Sequence, residues 1–207
     1  MSIQRRRVLV NSKIPDGVYI EGLDGNAYTV DNWHGGANAN SVIVASGDVK
    51  FRIALWGPTN LMSMSPNYDS PLENYMTAIS GETQARADYN GAGNTANILK
   101  AVQPSTGYAA GFCDAFVFPD GKTRGYVPSV GQMNLMYQNR EAVLAAFGPS
   151  GGSGMFYTHY WTSTFWGIHP NTGVSRICYA FNWPDAKLCH DFAINAQSYV
   201  RPFADIS

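Results

Sequence analysis

The sequence predicts an α+β fold, with strands first, helices in the middle and strands again at the end. Three observations predict it. Residues 14–55 hold short apolar runs divided by turn signals, residues 94–147 carry apolar side chains at helical spacing, and residues 156–203 return to alternation. The last of these stretches holds twelve of the chain's 27 aromatic residues and only five charged ones, so it forms a core, a contact surface, or both. A length of 207 residues without internal repeats suits one main domain with a small addition.

Residues 1–13 read as an N-terminal arm whose one feature is the basic run Arg5, Arg6 and Arg7, a solvated or partner-docking terminus rather than a nucleic-acid contact. In residues 14–55, Val18, Tyr19 and Ile20 precede an Asp24-Gly25 hairpin signal, and strands over 41–45 and 50–55 follow. These predict a small β-meander. Between them lies a Gly/Asn-rich loop around Trp33 and His34; no second histidine or carboxylate stands at metal-ligand spacing, so His34 reads as a turn residue.

Residues 56–69 read as a connection or lid, and 72–90 are ambiguous, with a weak helical pattern through Tyr75, Met76 and Ile79. Ile98, Leu99 and Val102 predict a helix over 94–102, and a second short helix is predicted over 107–116. The clearest helix starts at Ser129 as N-cap, with Gln132 three residues on completing a capping box. The pattern resumes over 141–147 until Gly148-Pro149 ends it.

Composition excludes several classes. A net charge of −1 points to neither nucleic acid nor an anionic membrane. No apolar run approaches the roughly 20 residues needed to span a bilayer. Val8, Leu9 and Val10 are cut short by Asn11 and Ser12, so the N-terminus reads as lacking a secretory h-region. Charged residues are 14%, below about 25% for an average domain, and Gly, Asn, Ser and Tyr fill the difference, a composition that suits binding surfaces. Cys113, Cys178 and Cys189 fit a reducing assembly compartment, with a bridge between Cys178 and Cys189 across neighbouring strands left open.

Strands are predicted over 156–164, 174–183 and toward 203, with a hairpin partner over 188–194. Alternation in the second places Ile177, Tyr179, Phe181 and Trp183 on the core face and Arg176, Cys178, Ala180 and Asn182 on the opposite, displayed face. The displayed set is chemically miscellaneous, as are Cys189, His190, Asp191 and Ala193, which is what a surface diversified for binding would hold. Arg201, between Val200 and Pro202, is expected to be buried on carbonyls or in an ion pair.

The Tyr160-Trp161-Thr162-Ser163-Thr164 start, the strand around Asn182-Trp183-Pro184-Asp185 and the Ser198-Tyr199-Val200-Arg201-Pro202-Phe203 ending resemble the variable proteins of diversity-generating retroelements, in the branch of gut Bacteroidetes and their phages. The stretches beginning at Asp16-Gly17-Val18 and Gly125-Tyr126-Val127 are similar too, so the resemblance covers most of the chain. It implies a C-type-lectin-like fold, related in outline to the formylglycine-generating enzymes, over 56–207 with a variable region at about 156–203. In that family, adenines of Asn-type codons are rewritten, which cannot yield Trp, Lys, Gln, Met or Glu. The resemblance therefore makes Trp161, Trp166, Trp183, Lys187 and Gln197 scaffold. It makes Phe165, Ile168, His169, Asn171, Arg176, Cys178, Ala180, Asn182, Cys189, His190, Asp191, Ala193 and Asn195 candidates for the diversified, ligand-binding surface.

No catalytic motif stands out among the four scattered histidines, the glycine cluster over 148–154 lacks a phosphate-loop ending, and Asn182-Trp183-Pro184-Asp185 is a scrambled echo of a calcium-lectin motif. The expectation is a non-enzymatic binding protein without metal or cofactor. It would be a homotrimeric phage-tail adhesin, assembled with other tail proteins in the host cytoplasm and recognising a bacterial surface protein or glycan. An adhesin secreted to or held on the bacterial cell surface is the alternative.

Overall fold

The computed structural model describes residues 9–10, 14–35, 38–102, 105–155, 158–190 and 192–206. The basic run at residues 5–7 and Asp191 lie outside them. In chain order the strands are β1 (Leu9–Val10), β2 (Gly17–Gly22), β3 (Asn26–Tyr28), β4 (Ala39–Ser46), β5 (Val49–Ile53) and β6 (Met62–Ser63). Five α-helices follow among the described residues: α1 (Glu82–Arg86), α2 (Gly91–Ala101), α3 (Ala109–Ala115), α4 (Val130–Gln138) and α5 (Arg140–Phe147). Then come β7 (His159–Ile168), β8 (Arg176–Asn182), β9 (Lys187–Cys189), β10 (Gln197–Ser198) and β11 (Phe203–Asp205). The fold is mixed α+β, and its sheets are antiparallel.

The predicted hairpin forms. Gly25 takes φ of +77°, which costs glycine nothing, and β2 pairs with β3 with Ile20 opposite Tyr28. The predicted meander does not. The sheet order is β1-β3-β2-β4-β5-β11, so β4 returns to lie beside β2 rather than β3. The physical reason is the loop after Tyr28, which carries the chain back across the sheet; Leu23 N there donates to Asn38 O at 2.9 Å. The last strand completes the sheet, with Phe203 opposite Ile53 and the Phe203 ring stacked on Phe51 at 5.0 Å.

A buried network locks that closure. Glu21 on β2 receives both Nε and Nη2 of Arg52 on β5, each at 2.8 Å, and also the Asn40 amide and Ser41 hydroxyl, each at 2.7 Å. Arg52 Nη1 donates to the Asp205 carbonyl. The Asp205 carboxylate in turn accepts from Tyr126 at 2.6 Å, and Tyr126 accepts from Gln132 of α4 at 2.7 Å. Arg201 is buried as expected and held by carbonyls, its two terminal nitrogens donating to Ala54, Ser153 and Gly154.

The helices divide around the three-stranded sheet β7-β8-β9. On one face Tyr160, Tyr179 and Phe181 pack with Met133 and Met136 of α4, Phe147 of α5, and Val42, Val44 and Phe51 of the large sheet. On the other, Trp161, Phe165, Cys178 and Ala180 pack with Ile98 of α2 and Ala109, Ala110 and Cys113 of α3. Ser129 caps α4 as predicted, its N–H donating to Gln132 Oε1 at 3.0 Å.

Because the Glu21–Arg52 pair is buried and fully hydrogen-bonded, removing one partner leaves a charge uncompensated. Glu21→Ala is expected to cost about 3–5 kcal/mol in urea unfolding, whereas Glu21→Leu combined with Arg52→Met costs less than Glu21→Ala alone.

Candidate binding surface

The site is built on the far end of the β7–β8 hairpin. The two strands pair regularly from His159 opposite Asn182 to Trp161 opposite Ala180, then slip, so that Thr162, Ser163 and Thr164 together bulge against Tyr179 before Phe165 meets Cys178. All three hydroxyl residues are buried. The Thr162 hydroxyl donates to Tyr179 O at 2.8 Å, and the Thr164 hydroxyl donates to the Asp88 carboxylate at 2.6 Å while accepting from Val130 N at 3.0 Å. Ser163 N donates to Pro128 O at 2.8 Å. The hairpin is thus fastened to the start of α4 and to the segment before α2. A second slip at Gly167, whose φ of +142° favours glycine, turns the strand end outward.

Beyond it, Ile168 pairs with Arg176, and the connecting turn is closed by His169 N donating to Ser175 O and Asn171 N donating to His169 Nδ1. Arg176 clamps this turn to the 66–75 loop. Its backbone N–H donates to Tyr68 O at 2.7 Å, its guanidinium forms a two-point pair with Glu73, and Nη1 reaches Val174 O. The Arg176 hydrogen bonds, opposed by some burial, hold the Glu73 carboxyl below its ordinary range. The partly exposed clamp therefore contributes at neutral pH, on the order of 1 kcal/mol or less, and fades as pH falls through the lowered Glu73 value.

Residues 192–195 run alongside, with Ile194 N donating to Arg176 O at 3.0 Å and Ala193 bridged to Ile177. His190 stacks on Trp166 at 5.1 Å and 8°, and meets the Tyr179 ring edge-on at 6.2 Å. Burial, with the Glu82 carboxylate adding to it, pushes the Tyr179 hydroxyl up to about 12. Cys189 is half-buried opposite Ala180, Asn195 is exposed, and Asn182 is half-buried at the inner end of β8, opposite Lys187.

The candidates therefore divide. Ile168, His169, Asn171, Arg176, His190, Ala193 and Asn195 gather at or beside the outer end of the hairpin, each at least partly accessible. Phe165, Cys178 and Ala180 do not. They are 1%, 0% and 0% exposed and belong to the core with α2 and α3. The alternation was read correctly, but it divides two buried faces, because helices cover the face taken for display. No disulfide joins Cys178 to Cys189.

Sequence reasoning missed the exposed apolar residues whose carbonyls Arg176 bonds, Tyr68 and Val174. Val174 is 47% exposed and Ile168 38%, yet both flank a hydrogen-bonded turn. The Asn67-Tyr68-Asp69 cluster in the segment taken for a lid was the available signal. Among the described residues, no three His, Cys, Asp or Glu side chains converge as a metal site, and no helix is long and apolar enough to cross a membrane. No family model, curated protein or solved structure matches the chain.

Two measurements check the division of the candidates. Ala180→Asp places an unpaired charge in the core and is expected to cost about 3–5 kcal/mol, whereas Asn171→Asp stays within about 0.5 kcal/mol in the same unfolding assay. Burial pushes the Cys178 thiol up to about 12 and holds Cys113 well above its ordinary range, which suppresses the reactive thiolate. Iodoacetamide at pH 8 should modify Cys189 in the folded chain and reach Cys113 and Cys178 only after denaturation, as read by peptide mass.

Proposed function

We propose that the chain is a ligand-binding protein whose outer β7–β8 turn, His190 and residues 192–195 form a replaceable contact surface on a fixed frame. The observation that carries this reading is the exposure of Tyr68, Ile168 and Val174 around the Arg176–Glu73 pair, at the end of a hairpin whose inner half is fastened by buried hydroxyls. Clustered apolar exposure with a central charged pair suits recognition of another molecule. On this reading the fold is C-type-lectin-like, and the chain is a variable protein of a diversity-generating retroelement. It would act as a phage-tail adhesin for a bacterial surface molecule. A homotrimer would multiply weak single-site affinity.

The buried Cys178, with its thiol at about 12, supports a non-enzymatic role over a formylglycine-generating one, which needs a reactive cysteine pair.

The gene's surroundings and cell binding test the proposal. A reverse transcriptase and a near-copy of the 3′ end, differing only at template adenines, are expected beside the gene. Their absence overturns the retroelement reading, and a phage or bacterial setting separates tail adhesin from cell-surface adhesin. Labelled protein should bind intact cells of some gut Bacteroidetes isolates. The Arg176→Ala, His190→Ala double variant should lose that binding at least tenfold, while its melting temperature falls by no more than about 4 °C, equivalent to about 1 kcal/mol in a chain of this size. Retained binding would place the contact surface elsewhere.

A further inference from the structure

The Gly/Asn-rich loop around Trp33 has no part in the surface above, yet it folds around a concavity of about 360 Å³ at the end of β2. Gly22 and Trp33 are its buried lining, and Asp24, Asn32 and Asn38 are its exposed polar lining. Trp33 is fixed from behind, its indole N–H donating to Pro149 O at 3.0 Å, and Tyr28 meets it edge-on at 5.4 Å. The space depends on glycine. A Cβ at Gly22 would come within 2.5 Å of Asp24 Oδ1 and 3.2 Å of the Tyr28 ring. The loop is closed by backbone bonds, Leu23 N to Asn38 O and Asn38 N to Gly35 O, which leave the Asn38 side chain out of the closure.

Asp24 is the oriented polar group. It accepts from Asn26 N at 3.1 Å, from Asn26 Nδ2 at 2.9 Å and from the Tyr28 hydroxyl. These bonds fix the orientation of an exposed carboxylate whose oxygens are acceptors for a hydroxyl donor. An aromatic pair beside a fixed acceptor and two carboxamides is the chemistry that binds a ring with an apolar carbon face and hydroxyls at its edge. The volume is at the low end of the roughly 300–1,000 Å³ of small-molecule sites, which suits a single ring. The lone carboxylate opposes an anionic one, and no cluster of metal-ligating side chains accompanies it among the described residues.

We propose that this concavity is a binding site for one neutral sugar ring, whose hydroxyl donates to Asp24 and whose carbon face lies against Tyr28 and Trp33. The site is separate from the β7–β8 surface, and cell binding through that surface is a separate measurement, so either reading survives the failure of the other.

Titration of the isotope-labelled full chain with glucose, galactose, mannose and N-acetylglucosamine, followed by amide and indole NMR signals, tests it. At least one neutral sugar should give saturable shifts at the Trp33 indole and at the amides of residues 22–35 and 38, with a Kd on the order of millimolar, as expected of a single small ring. Asp24→Ala should weaken binding at least tenfold. Since Asp24 also holds its own turn, Asn38→Ala provides a variant that spares the loop's backbone bonds, and it should weaken binding several-fold. Sialic acid should bind at least tenfold more weakly than the preferred neutral sugar. The proposal is overturned if no neutral sugar saturates these signals, if the shifts fall outside the loop, if both variants bind like the parent, or if sialic acid binds equally well.

Discussion

Burial of β8 on both faces is the constraint to which the other elements answer. Tyr179 and Phe181 need α4, α5 and the large sheet on one side, and Cys178 and Ala180 need α2 and α3 on the other. A strand covered twice offers solvent only its ends. Arg176 and Asn182, at those two ends, are its partly exposed residues, and contact with an outside molecule is possible only near them. α2 and α3 are therefore the second wall of the small sheet.

Local features were legible where local physics decides them. The Asp24-Gly25 turn, the Ser129 cap and the helix through Ile98 each declare themselves within a few residues, since turn dihedrals and cap hydrogen bonds are short-range. Alternation in β8 was equally plain. What covers each face was not, because Ile98 and Cys113 lie more than sixty residues from Cys178 in sequence. The same limit hid the return of β4 to β2 and the clamp between Glu73 and Arg176, which no spacing rule connects. Of the candidate site, Ile168, His169 and Asn171 lie at the accessible end of the hairpin, because the end of a strand pair and its turn stay uncovered whatever lies beneath them. Strand residues were read less well, because their exposure depends on distant helices.

The proposed contact surface gains from this arrangement. Thr162, Ser163 and Thr164 leave the ladder to bond with Tyr179, Pro128, Asp88 and Val130, so backbone and buried hydroxyls hold the hairpin below its tip, and the Arg176–Glu73 clamp adds to them at the turn. Replacement of Ile168 or Asn171 changes what the tip offers without touching what holds it. A frame that separates these two roles lets contact chemistry vary at little cost in stability.

The pairing of β11 with β5 has a consequence for how the chain reaches this state. Residue 53 must find residue 203, and the Phe51–Phe203 stack and the Arg52–Asp205 bond form only when it does. Contacts so distant in sequence slow folding, because loop closure must precede their reward. Until then β5 is an open sheet edge with an uncovered phenylalanine, and a template for a neighbouring chain. The competition between intramolecular closure and intermolecular pairing depends on concentration. Dilute refolding favours the monomeric sheet, and crowded synthesis favours strand exchange, in which one copy's 203–205 segment completes the sheet of another.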